Sequence, residues 1–387
     1  MPKFEDTKLL KHPTVERAFN VMLTFFDSSD EAGEDWAKKA VRAGEIITAS
    51  AKTPDPDAIA ASILMDGMII PYEAEQFELS VSPKAAQYLK KFYNLDLDDP
   101  KFTTAAEEQV LLAHSILGLE GVQNEIDKGI DHIIEFRNVQ QILDANDRAL
   151  QAIARNAKEK DMLQAAQAQL VTAQQSLADI VTKRTDALAF ENTGLPDNPV
   201  VRSTYEEMKK WALDGDPLGG YALTNAGIAR VLVETGASSD PEVISAALLN
   251  QYSVLKPGHK KPEEFSPRIG ELYEQTSPWA DLRGEPDKTT PKTPEAQTIT
   301  SATLLYFIEG SIEDMPAAMK AGEHVAEARL ESLEDMKTKV EEAAKLETQA
   351  GLKTRMEKAL KAAETLINAP ESVKIRKPGS PKRDLGW

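Results

Sequence analysis

The 387-residue chain contains no cysteine and only five histidines. Without cysteine, disulfides, thiolate metal sites and cysteine nucleophiles are excluded. The histidines are His12, His114, His132, His259 and His324, and no two of them have the spacing of a metal-binding pair. A histidine-rich metal centre therefore has few candidate ligands.

Long apolar runs are also missing, and positive charge is in the minority. No stretch approaches the ~20 continuous apolar residues that a membrane-spanning helix needs, and the N-terminus lacks the apolar core of a secretory signal. The 45 lysines and arginines face 63 aspartates and glutamates, which gives a net charge of −18. This sign disfavours general nucleic-acid binding, because phosphate recognition depends on positive charge. We expect a cytoplasmic protein with no membrane contact, although a protein exported by a non-classical route would look the same.

Strand-like alternation is absent too, and most of the sequence has the composition and periodicity of helix. Residues 105–190 contain no proline and few glycines, and their apolar residues recur at spacings of three and four. The same pattern occupies residues 317–368, where Ala350–Gly351 is the predicted turn between two antiparallel helices. The sequence therefore predicts an all-α protein with two long antiparallel helical hairpins.

Proline and glycine mark the organisation of the chain. The segment Leu195–Pro199 reads LPDNP and is the predicted domain boundary, with domains at 1–195 and 196–370. Residues 371–387 form a third region, a basic tail with too little apolar surface to fold alone. This tail either contacts an acidic partner, a nucleic acid or an anionic surface, or is a solubilising flexible end.

The two halves share matching segments in the same order. Asp55–Asp66 reads DPDAIAASILMD and Asp240–Gln251 reads DPEVISAALLNQ, with five of the twelve positions identical. Three further blocks, which begin at His12, Trp36 and Ala113, match the second half at offsets between 185 and 189. This pattern predicts an internal duplication. The alternative explanation is that similar helical composition produces similar strings.

The block Tyr221–Gln251 resembles the metal-dependent HD hydrolase domain of the RelA/SpoT family of alarmone enzymes. That family shows Y-I-x-H-P-x-x-V-A-x-I-L, an acidic residue, and then A-A-L-L-H-D. Tyr221, Ile228-Ala229 and Ala246–Leu249 fall on the apolar framework of this pattern. The resemblance implies two tandem HD-like helical repeats, each with its hairpin.

The positions that carry the family's chemistry are altered in both halves. The H-P and H-D positions fall on Thr224-Asn225 and Asn250-Gln251 in the second half, and on Lys39-Ala40 and Met65-Asp66 in the first. An HD site needs histidine nitrogens and carboxylate oxygens around a divalent metal. Only one of these positions keeps a ligand-type side chain, and the family's later D-R-L-H-N motif has no match. The vestigial HD positions are Lys39, Met65, Asp66, Thr224, Asn250 and Gln251.

These observations predict a non-catalytic scaffold or regulatory protein without a cofactor, which binds a protein partner or itself through its hairpins. The alternative is a divergent metal-dependent nucleotide phosphohydrolase or nucleotide-binding sensor. Its metal ligands would be Asp66 with Asp127 or Asp131, near His132. Ordinary charge on a solvated helix face also explains the last three residues.

Overall fold

The computed structural model describes residues 3–27, 32–52, 54–67, 81–130, 133–250, 258–276, 293–321, 323–369 and 372. These residues form 15 α-helices and no strand, which confirms the predicted all-α class. No helix in the same residues combines the length and the apolar character needed to cross a bilayer. Gln251, Asp131, His132 and nearly all of the basic tail lie outside the described residues.

The chain forms two compact units, Met1–Thr182 and Lys183–Trp387. This division precedes the boundary predicted after residue 195. The reason is that Phe190 packs on Tyr205 with a ring-centroid separation of 5.7 Å, and the Tyr205 hydroxyl donates to the Leu188 carbonyl oxygen at 2.8 Å. The Leu195–Pro199 segment is therefore a loop within the second unit rather than a linker between units.

Seven of these 15 described helices belong to the first unit. They are α1 (Pro13–Asp27), α2 (Ala32–Ser50), α3 (Pro56–Asp66), α4 (Pro83–Tyr93), α5 (Ala105–Lys128), α6 (Ile133–Ala154) and α7 (Lys160–Ala187), of which the last continues past Thr182. Helix α3 is buried along almost its whole length because it packs against α1, α2, α4 and α5. Its alanines at 58, 60 and 61 are fully buried and allow this close approach.

Eight helices build the second unit around one continuous apolar core. They are α8 (Pro199–Gly215), α9 (Gly220–Glu234), α10 (Pro241–Leu249), α11 (Pro262–Phe265), α12 (Pro267–Gln275), α13 (Pro294–Ala321), α14 (Glu323–Leu346) and α15 (Ala350–Ile367). Gly219 begins α9 with a φ of 70°, a left-handed conformation that favours glycine.

Matching caps start corresponding helices in the two units. Asp55 and Asp240 each accept a hydrogen bond from the backbone two residues later, and each precedes a proline at the first helical position. Ser82 and Ser266 cap α4 and α12, and each accepts a hydrogen bond from the backbone three residues later. The lysine or arginine two residues after each serine then forms an ion pair with the aspartate cap of its own unit.

The apolar stripes of the predicted hairpins are buried. In the second unit the residues Leu333, Val340, Leu352, Met356 and Ala363 all belong to the core of that unit. Helix α14 ends at Leu346 and α15 begins at Ala350, so the break between them spans residues 347–349. The turn predicted at Ala350–Gly351 is wrong, because these are the first two residues of α15. The Glu347 carboxylate accepts from the Gln349 backbone at 2.8 Å and stabilises this break. Gly351 is instead a packing residue, because a Cβ there would lie 2.4 Å from the Thr235 carbonyl oxygen.

Candidate functional site

A cleft of about 900 Å³ opens in the first unit between α2, the end of α3, α5 and the start of α6. Two vestigial HD positions, Lys39 and Asp66, line it. Polar groups from α2 and α5 share the lining with apolar side chains of α5 and α6, including Leu117 and Val139. A cavity of this size with a few converging polar groups has the dimensions of a small-molecule site.

Helix α5 forms the longest wall of the cleft, and a capping box fixes its start. Thr104 accepts from the Glu107 backbone, and the Glu107 carboxylate accepts from the backbone of Thr103 and Thr104. Burial alone would raise the pKa of Glu107. The hydrogen bonds from Lys91 and Thr103 outweigh that effect and lower the pKa to about 2. The cap therefore holds a carboxylate that stays ionised, and it anchors the wall.

One face of α5 looks into the cleft. His114, Gly118, Gly121 and Glu125 follow one another at spacings of four, three and four, which places them on one side of the helix. A Cβ added at Gly118 or Gly121 would meet no atom within 4 Å. Each of these two glycines costs a helix roughly 1 kcal/mol relative to alanine. The open volume of the cleft exists in part because the wall lacks side chains here.

Asp66 is the most deeply buried acid of the cleft. The residue is 6% exposed, and its Oδ1 lies 3.5 Å from Nδ1 of His114, whose side chain is 46% exposed. The other oxygen, Oδ2, is buried and has no hydrogen-bond partner among the described residues. Buried carboxylates are normally paired, because an isolated ion is costly to remove from water. Asp66 thus lines the cleft and keeps one buried oxygen that has no partner among the described residues.

Lys39 and Trp36 lie together on α2. The Lys39 ammonium sits 4.5 Å from the centroid of the Trp36 ring, a cation–π contact. Met65, the other vestigial position of this unit, packs with the apolar cluster of α1, α3 and α4 instead. The structure therefore brings two of the three vestigial positions of the first half to one cleft.

Of the metal ligands considered from the sequence, Asp66 and Asp127 do not converge, and Asp131 lies outside the described residues. Asp127 lies 13 positions after His114 on α5, which places it about 20 Å along the axis and on the opposite face. Its carboxylate accepts from Gln123 of the same helix at 2.7 Å. Asp66 and Asp127 therefore cannot share an ion. Among the described residues no group of three histidines, aspartates or glutamates could hold a metal ion.

The second unit has a buried polar contact near its vestigial positions, while Gln251, which aligns with Asp66, lies outside the described residues. Asn250 is 1% exposed and donates from Nδ2 to Oγ1 of Thr303, which is fully buried, at 3.1 Å. By sequence Thr303 aligns with His114, while Asn250 aligns with the residue before Asp66. Thr224 is another vestigial position of this unit, and its hydroxyl donates to the Gly220 carbonyl oxygen of its own helix at 3.0 Å. Thr303 thus forms a neutral, buried contact with Asn250, whereas the aligned His114 of the first unit is half-exposed beside Asp66.

Sequence reasoning missed His114 as the partner of Asp66. The two residues are far apart in the chain, and His114 has no neighbouring metal-type residue to draw attention to it. The sequence does hold a signal for His114. Ala113 aligns with Ala302 in the matched blocks, so His114 aligns with Thr303 directly after them.

Comparison with known proteins adds no relative. The chain matches no protein-family model, no curated protein sequence and no solved structure.

Proposed function

We propose that this protein is a non-catalytic regulatory or scaffold protein built from two degenerate HD-like helical units. In this proposal the first unit recognises a ligand or partner through its open cleft. The second unit, in which Asn250 and Thr303 are buried against each other, serves as a structural body.

The observation that carries the proposal is the difference between two polar contacts. Asp66 and His114 border an open cleft, whereas Asn250 and Thr303 are buried together. Two potential ligands on one side of a cleft are fewer than the three or more protein ligands of catalytic metal sites. The cleft suits recognition better than metal-assisted hydrolysis.

The proposed duplication has support beyond the sequence blocks. Helices α1 to α7 correspond in order to α8, α9, α10, α12, α13, α14 and α15, and among the described helices only the one-turn helix α11 has no counterpart. The 3₁₀ turns Phe4–Asp6 and Phe190–Asn192 precede the two sets. In each turn a threonine hydroxyl, that of Thr7 or Thr193, donates to the phenylalanine carbonyl oxygen. Repeated contacts of this kind support a duplication over similar helical composition alone.

Partner binding through the hairpin stripes receives no support from the packing. The apolar positions of α14 and α15 already lie in the core of their own unit. On α7 the stripe residues Met162, Ala166, Leu170, Ala173 and Leu177 are buried as well. We therefore place the recognition surface at the cleft and not on the hairpins.

The proposal is tested by phosphoester hydrolysis with the purified full chain. Bis(p-nitrophenyl) phosphate and nucleoside triphosphates are offered with Mn²⁺ or Mg²⁺, for wild type and Asp66→Asn. We expect the release of product to equal the protein-free rate for both proteins. Metal-dependent turnover that disappears in Asp66→Asn would contradict a non-catalytic role and favour the phosphohydrolase.

A nucleotide-binding sensor is the second candidate, and the pairing of Lys39 with Trp36 favours it. An ammonium beside an indole ring offers a phosphate contact and a stacking surface for a base. Thermal unfolding with and without adenine and guanine nucleotides tests this candidate. A rise in Tm that Lys39→Gln removes would support it, and an unchanged Tm would reject it.

A further inference from the structure

We propose that the cleft binds an organic cation, with the alkylammonium group of an aliphatic amine paired to Asp66. This inference deepens the proposed function by naming the chemical class of the ligand, and it rests on the cleft being a recognition site.

The first support is the unpartnered oxygen of Asp66. The side chain is 8% exposed and lines the cleft, and its Oδ2 accepts no hydrogen bond from the described residues. A carboxylate at such a position is stabilised by a group that carries both positive charge and N–H donors. A primary ammonium supplies three such donors.

The second support is the charge distribution around this floor. Asp35, Glu125 and Glu135 line the outer part of the cleft and are exposed. Together with Asp66 they outnumber the three lysines of the lining. This small excess of acids in the lining and the net charge of −18 both favour a cation over an anion.

The lysines of the lining do not compete strongly for Asp66. The Lys128 ammonium pairs with Glu125 at 2.7 Å, and the Lys39 ammonium lies over the Trp36 ring. Lys38 also has an interaction of its own. Neither Lys39 nor Lys128 forms an ion pair with Asp66 in the described part of the chain.

The third support is the set of apolar side chains that line the cleft. Leu117, Val122, Ile130, Val139 and Ile142 line the cleft beside the open space at Gly118 and Gly121. A hydrated metal ion gains nothing from such a wall. An unbranched aliphatic chain buries its methylene groups there while its charged end reaches the acid.

Isothermal titration calorimetry on the full chain at low ionic strength tests the proposal. The probes are 1,5-diaminopentane, a lysine peptide with blocked termini, and pentanoate as the matched anion. We expect both amines, or one of them, to bind and pentanoate not to bind. The first probe represents a free amine and the second a protein side chain, so the stronger binder identifies the source of the alkylammonium group.

Three variants locate the site. Asp66→Asn should weaken amine binding by about tenfold or more, since it removes a charge-assisted contact. Gly118→Leu should weaken it by filling the cleft without touching the acid, and circular dichroism checks that the helix is kept. Asp127→Asn, on the opposite face of α5, should leave binding unchanged.

Binding of pentanoate as tight as that of the amines would overturn the proposal, as would the absence of amine binding or equal binding by Asp66→Asn. These results do not involve phosphoester hydrolysis. A failed amine titration with no hydrolysis therefore removes only the ligand class, while metal-dependent hydrolysis removes the proposed function itself.

Discussion

Arg355 of α15 forms a two-bond ion pair with Glu309 of α13, with Nε–Oε1 and Nη2–Oε2 distances of 2.8 and 2.7 Å. In the first unit Gln169 of α7 contacts Glu120 of α5, and the distance between Nε2 and Oε1 is 3.3 Å. Each contact links the last helix of a hairpin to the long central helix of its unit. The place is shared, but the donor to the glutamate is a charged guanidinium in the second unit and a neutral amide in the first.

Arg355→Gln would replace the guanidinium beside Glu309 with an amide, the group that Gln169 offers to Glu120 in the first unit. We expect a loss of about 1 kcal/mol in the free energy of unfolding, because a charge-assisted bidentate pair is stronger than one neutral donor. Urea unfolding measures the loss. Arg329→Gln, an exposed arginine on α14, is the matched control and should change the stability little. Equal effects of the two substitutions would contradict the role of the pair.

Two helical glycines differ in the space around them, since Gly351 lies against a neighbouring backbone and Gly310 does not. Gly351→Ala should destabilise the second unit by about 1–3 kcal/mol, because the new Cβ would overlap the Thr235 carbonyl oxygen. Gly310→Ala on α13 meets nothing within 4 Å and should stabilise by up to about 1 kcal/mol. Differential scanning calorimetry of the two variants should give Tm changes of opposite sign. A gain at Gly351 would show that the close approach is not maintained.

The stability of the protein should respond differently to a change of charge at Asn250 and at Asp66. Asn250→Asp places a carboxylate where the residue is 1% exposed and should cost roughly 3 kcal/mol or more at pH 7. The loss should shrink on acidification, since the buried acid is then protonated. Asp66→Asn should cost much less, because it removes a carboxylate that already lacks one partner. Guanidinium unfolding at pH 7 and pH 4 compares the two variants, and equal losses at pH 7 would argue against the contrast.

The cap of α5 predicts a pH dependence. The pKa of Glu107 is lowered to about 2 in the folded protein, against roughly 4.3 for a free glutamate. Its stabilisation is therefore complete above pH ~4.5 and is lost as the pH falls towards ~2. Glu107→Gln should lower the free energy of unfolding by about 1–2 kcal/mol at pH 6 and by much less near pH 2.5.

Glu331→Gln serves as the control for this cap. Glu331 is exposed on α14, and the substitution should leave the slope of stability against pH unchanged. A Glu107→Gln protein with the same slope as wild type between pH 6 and 2.5 would refute the assignment.

The local signals of the sequence were sufficient for the helices. Asp55 and Asp240 precede prolines, and both act as caps of the helices predicted from their shared block. The Ser-Pro-Lys of residues 82–84 and the Ser-Pro-Arg of residues 266–268 were equally readable, although the sequence comparison missed them. Caps can be read because the groups that form them lie within a few residues of one another.

The cleft could not be read in the same way. The contact between Asp66 and His114 joins two helices across 48 positions of chain, and no local pattern encodes that distance. The empty space beside Gly118 and Gly121 depends on how the neighbouring helices pack. Amino-acid composition does not determine that packing. Likewise, the Phe190 turn belongs to the second unit through its contact with Tyr205, which the proline-rich segment after it concealed.

The two glycines of α5 set stability against recognition. Selection of this chain for heat resistance would favour alanine at Gly118 and Gly121, since both substitutions strengthen the helix and meet no obstacle. Each such gain would take space from the cleft opposite Asp66. A lineage that keeps glycine at these positions would reveal that the empty volume itself is under selection.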